Sequence, residues 1–86
     1  MNQYVLRDEY KPGTDKVLRK GRAVALRLVH ELHLSNEGGV VTEEQILSKF
    51  TANIDKLKVH NKEGADKWVK FMLRHSKDDG NWYRQA

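Results

Sequence analysis

The chain has 86 residues, a length that suits one domain and leaves no room for a second. It has no cysteine, which excludes disulfides, thiolate metal sites and a cysteine nucleophile. Sixteen basic residues stand against 12 acidic ones, a formal net charge of +4, so a basic bias exists but is mild, and what matters is whether it gathers on one face.

Residues 1–13 read as a tail or an edge segment, and residues 14–86 as a single helical domain. Tyr4, Val5 and Leu6 offer a short strand or a patch for the core, and Pro12-Gly13 ends the segment. Arg7, Asp8, Glu9 and Lys11 interrupt any apolar run there, so the segment does not read as a signal peptide. No stretch approaches the roughly 18–20 apolar residues that a membrane span requires. The expectation is a cytoplasmic protein with no membrane contact.

Thr14 reads as the N-cap of a helix over about 15–34, with Asp15 in its first turn. At 100° per residue Val17, Leu18, Val24, Ala25, Leu28, Val29 and Leu32 fall within one arc of about 140°. Gly21 lies inside that arc, where it predicts close approach of another element. Lys16, Arg19, Lys20, Arg27 and His30 lie opposite, with Ala23 and Leu26 as the apolar exceptions.

Ser35-Asn36-Glu37-Gly38-Gly39 reads as a loop, and Val40-Val41 as a single short strand. Thr42 and Gln45 form a T-x-x-Q capping box, which opens a short helix to about Lys49 or Phe50 with Ile46, Leu47 and Phe50 facing inward. Thr51–His60 admits two readings, a further helical turn through Ile54 and Leu57 or an extended segment through Leu57 and Val59.

Asn61 caps a last helix to about Ser76. Ala65, Trp68, Val69, Met72 and Leu73 give its buried stripe, and Lys67, Lys70, Arg74 and Lys77 its polar side. Phe71 lies among those cations, either as an exposed anchor or as a cover for Thr51–His60. Asp78-Asp79-Gly80-Asn81 is a turn, and Trp82-Tyr83-Arg84 a short strand after it. Either Arg74–Lys77 and Asn81–Gln85 pair as a hairpin, or the helix ends and the aromatics fold back on the core. The fold class is therefore mainly α, a compact domain of three or four helices with room for a short C-terminal β-hairpin.

Two helices with basic polar faces point to phosphate contact, since lysine and arginine neutralise backbone charge and release counterions. Lys67, Lys70, Arg74 and Lys77 are the first candidates, and Lys16, Arg19, Lys20 and Arg27 the second. The alternative for each face is plain solvation.

The order of elements resembles a winged helix-turn-helix domain. Gly39–Leu47, Ala65–Leu73 and Asp78–Tyr83 carry the resemblance, which spans about 70 residues and contains no invariant type of motif. It implies that the later helix enters the major groove, with Lys67, Lys70 and Arg74 toward DNA and Asp79–Arg84 as a wing on the backbone, which adds Arg84 to the candidates. The chain departs from the pattern at Thr51–Lys62, where a few residues normally link the two helices. Either that stretch holds an extra helix, or the order is the ordinary spacing of a small helical domain.

A second class of function is a protein-binding inhibitor or adaptor of the phage or mobile-element type that docks on a larger acidic partner. Its anchors would be Phe71, Trp82 and Tyr83, with a basic rim steering association. Trp82 and Tyr83 have a base-stacking reading as well, and the plain alternative that Trp68 and Trp82 share the core. A homodimer through the apolar stripes is a third class.

His30 and His33 stand at i, i+3, but no cysteine or carboxylate set completes a metal site. Gly38-Gly39 lacks the spacing and the following lysine of a phosphate-binding loop. Asp78-Asp79 do not form a general acid/base pair, and Ser35, Ser48 and Ser76 have no activating base near in sequence. The expectation is a regulatory or binding module, not an enzyme, with no cofactor and no metal.

Overall fold

A computed structural model describes residues 3–14, 18, 20–57, 62–73 and 82–86. Among them are strand β1 (Gln3–Leu6), helix α1 (Lys20–Ser35), strand β2 (Val41–Thr42), helices α2 (Glu43–Thr51), α3 (Ile54–Leu57) and α4 (Lys62–Leu73), and strand β3 (Tyr83–Gln85). Single 3-10 turns occur at Asp8–Tyr10 and Glu37–Gly39. The domain is mainly helical with a small antiparallel sheet.

The N-terminal segment is not at an edge. β1 is the central strand, flanked by β2 and β3. Tyr4 faces Val41 on one side and Gln85 on the other, and Leu6 faces Tyr83. The Ala86 amide donates to the Gln3 carbonyl at 2.9 Å and the Arg7 amide to the Trp82 carbonyl at 2.9 Å, extending the ladder at both ends. Val5 and Leu6 are buried there. Strand pairing of this kind links positions some eighty residues apart, so local sequence does not announce it. β3 thus pairs with β1. The Arg74–Lys77 arm of the expected hairpin lies outside the described residues.

α1 begins at Lys20, later than its apolar period suggests. Thr14 does not cap it: its hydroxyl donates to the Lys11 carbonyl at 2.9 Å, closing the turn that contains Gly13 at φ +91°. Leu18 lies outside the helix, half-buried against the core. Asp15, Lys16, Val17 and Arg19 lie outside the described residues, as does the packing around Gly21. From Lys20 onward the arc holds: Ala25, Leu28 and Val29 are buried and Val24 and Leu32 pack against the same core, but Leu26, expected on the opposite side, also packs against it.

α2 starts as expected. The Gln45 amide donates to Thr42 Oγ1 at 3.2 Å, and the Thr42 amide donates to Gln45 Oε1 at 2.9 Å. Asn36 Nδ2 donates to the same Oε1 at 3.0 Å and to the Val40 carbonyl at 2.9 Å, which ties the preceding loop to the cap. Ile46 and Phe50 are buried. Thr51–Lys62 does hold an extra helix, α3, with Leu57 buried. α4 packs chiefly on α2. Its Ala65, Val69, Met72 and Leu73 are buried as the period requires, and Trp68 is half-buried beside them. Asn61 and residues 74–76 of the expected helix lie outside the described residues.

Candidate nucleic-acid interface

The inward stripe of α4 fixes what its outer side presents. Lys67 lies about 160° round the helix from buried Val69, and Phe71 about 40° further, so the two are outward neighbours one turn apart. Both are exposed. Lys67 makes no ion pair among the described residues. Lys70, also exposed, is held by Asp66 at 2.9 Å, an i, i+4 pair whose charges offset each other.

Phe71 is 37% exposed and is the one exposed aromatic among the described residues. Its ring packs edge-on against Trp68 at 5.9 Å and Trp82 at 6.5 Å, so it caps an aromatic cluster. Beneath it Trp68 and Trp82 meet at 6.0 Å, Tyr10 stacks on Trp82 at 4.9 Å and 13°, and Phe50 tilts against Trp68 at 6.1 Å. Trp82 and Tyr83, candidate anchors on sequence grounds, are 2% and 1% exposed. They are core residues and present no ring to a partner. The Trp82 amide donates to the Met72 carbonyl at 3.2 Å, which draws the start of β3 onto the end of α4.

The Arg22 guanidinium of α1 lies 5.3 Å from the centre of the Phe71 ring. Cation–π attraction favours that position. A cation of α1 therefore reaches Phe71, Lys67 of α4 stands one turn from that ring, and the exposed Glu63 stands one turn further along the same side. Arg22 is not among the residues that sequence reasoning selects. Its only signal is that it borders the apolar arc, about 20° from Val29, where a long side chain can bend over a neighbour.

The other expected cations are not gathered there. Arg27 is exposed but lies about 140° round α1 from Arg22, on the side away from the buried arc. Arg84 is exposed on β3 and lines a shallow depression with Arg7, Asp8 and Glu9. In that depression carboxylates offset arginines: Arg7 pairs with Glu9 at 3.5 Å. Asp8 is held below the usual carboxylate range by its hydrogen bond and ion pair with Lys11, at 3.0 Å, and to a smaller extent by Arg84. Lys49 is paired with Glu31 at 3.3 Å. Lys20 starts α1, but its side chain is outside what is described, as are Lys16, Arg19, Arg74 and Lys77 and the expected wing residues Asp79–Asn81.

The two histidines do separate jobs. His30 Nε2 is hydrogen-bonded to the Tyr10 carbonyl at 2.7 Å and pins α1 to the first 3-10 turn. The His33 ring lies against Gly39, where a Cβ would fall 2.3 Å from Cε1, and Gly39 has φ +70°. A glycine is needed on both counts. Burial, then the charges of Lys11 and His30, hold His33 below the ordinary histidine value, and its Nδ1 is buried with no hydrogen-bond partner among the described residues. Among the described residues no group of three His, Asp or Glu side chains is placed to hold a metal. No described helix is long and apolar enough to cross a membrane.

These elements define a small, mainly helical domain closed by a three-stranded antiparallel sheet. The chain matches no protein-family model, and no curated protein or solved structure matches it significantly.

Proposed function

We propose that this chain is a non-enzymatic binding protein that holds nucleic acid, DNA in the first instance, against the outer face of α4. The observation that carries the reading is the meeting of Arg22 with Phe71 beside Lys67. It places a cation of α1 at a ring of α4, one turn from Lys67, which makes no ion pair among the described residues. Such a surface binds the phosphate backbone by neutralisation and counterion release. The resemblance to winged helix-turn-helix domains agrees with this choice of helix, since it would set α4 toward DNA.

The test is an anisotropy titration with labelled DNA over a range of salt. If Arg22, Lys67 and Lys70 are the contacts, the logarithm of the binding constant falls with the logarithm of salt with a slope of about −2 to −3. Arg22→Ala and Lys67→Ala each reduce that slope by about one. Arg27→Ala, across the helix, leaves it unchanged. Absence of binding to any DNA at low salt ends the reading.

One observation favours a second reading, in which the chain is an inhibitor or adaptor docked on an acidic protein. Phe71 and Leu34, the latter 73% exposed, are the large apolar side chains that the described surface leaves in water. Under this reading an alanine scan finds Phe71 dominant for affinity, while Arg22 and Lys67 alter mainly the association rate.

A further inference from the structure

We infer that the nucleic acid taken by this face is single-stranded, with an unstacked base laid against Phe71 and Arg22. The inference rests on the nucleic-acid reading and narrows it. It departs from the duplex that the winged-helix resemblance implies.

Three features of the site lead there. Phe71 keeps 37% of its surface in water although Trp82, Tyr83 and Phe50 are within 2% of full burial. The ring packs against two tryptophans at steep angles, 86° and 71°, which brace it on the core. Arg22 over the ring and Lys67 one turn away supply cations for the phosphates that flank a base. An aromatic platform inside a basic surface is what single-strand binders use, because the π-face of any base fits it. Arginine planes serve the same purpose.

A duplex can use the cations of this arrangement but not its ring. Its bases hide their faces in their own stack and offer only edges in the grooves. The described part of α4 reads KEGADKWVKFML. It contains no asparagine or glutamine to make paired contacts with adenine edges. The expected binding is therefore tolerant of sequence and dependent on unstacked bases.

The experiment measures the whole chain against three labelled probes at low salt: a short oligothymidylate, an abasic strand of equal length, and a duplex of equal length. Oligothymidylate should bind about tenfold or more tightly than either of the others, since one stacked base is worth roughly five- to a hundredfold. Phe71→Leu keeps an apolar cover over Trp68 and Trp82. It should erase most of that advantage and leave binding to the abasic strand unchanged. Phe71→Tyr, which keeps a ring, should retain the advantage and so separates stacking from folding. Lys67→Ala should weaken binding to all three probes. Equal or tighter binding to the duplex overturns the inference while the nucleic-acid reading stands. So does a Phe71→Leu variant that binds oligothymidylate as the parent does. Binding to none of the probes overturns both.

Discussion

Tyr83 shows how a single polar atom sets a stability term. Its ring is 1% exposed, and its hydroxyl is buried without a hydrogen-bond partner among the described residues. Burial pushes the phenol well above its ordinary value of 10.0. In the unfolded chain it ionises near pH 10 and in the fold it does not. The neutral form's stabilising contribution is therefore complete below about pH 10 and is lost as pH rises beyond that. Tyr83→Phe keeps the ring and removes the stranded hydroxyl, so at neutral pH it should raise unfolding stability by about 1 kcal/mol. It should also flatten the alkaline limb of stability against pH. Urea midpoints at pH 7 and above 10 check both, and a loss at pH 7 would show that the hydroxyl has a partner. The sequence exposes the apolar character of Ala65, Val69, Met72 and Leu73 because a helical period repeats. Trp82 and Tyr83 stand in a stretch with no repeat to show their inward direction. Arg22 is hidden for another reason: its partner is set by how α1 and α4 approach, which no local pattern encodes.

At the scale of elements, legibility follows how local the decisive interaction is. α2 is legible because its start is written in four consecutive residues, Thr42 to Gln45, whose reciprocal hydrogen bonds both form. The start of α1 is not. Thr14 has the right side chain for a cap, but its hydroxyl closes the Pro12-Gly13 turn, and the helix begins six residues later. The same atom can satisfy either arrangement, and the turn is nearer. The capping box also has reach beyond its own helix. Gln45 Oε1 accepts from Asn36 as well as from the Thr42 amide, so the loop after α1 and the first turn of α2 share one acceptor. Thr42→Ala should therefore cost about 1–2 kcal/mol, toward the upper end for a cap. Thr42→Ser should recover most of it. Thermal unfolding followed by circular dichroism measures the difference, and a change of a few tenths of a kcal/mol at Thr42→Ala would show that the box contributes little here.

For the molecule as a whole, the two ends of the described chain close the structure. β1 from one end is the centre of the sheet and β3 from the other is its neighbour. Their pairing sets Leu6 beside Tyr83, both almost fully buried, while Tyr10 stacks on Trp82 just beyond. If residues 1–13 were a tail, trimming them would be nearly silent. The observed pairing argues the opposite. Removing residues 1–6 deletes both ladders at once and takes Val5 and Leu6 out of the core. Removing residues 82–86 deletes one ladder together with Trp82 and Tyr83. A domain of this size has a total stability of about 5–10 kcal/mol. Loss of even two large buried side chains, at roughly 2–5 kcal/mol each, consumes most of that. Both truncations should therefore abolish the cooperative thermal transition, although they act at opposite ends of the chain. Circular dichroism melts of the two truncated chains beside the parent decide the matter. A sharp transition retained after loss of residues 1–6 would show that the helices hold together without the sheet, and that β1 is dispensable to the core on which α4 and its outer face are mounted.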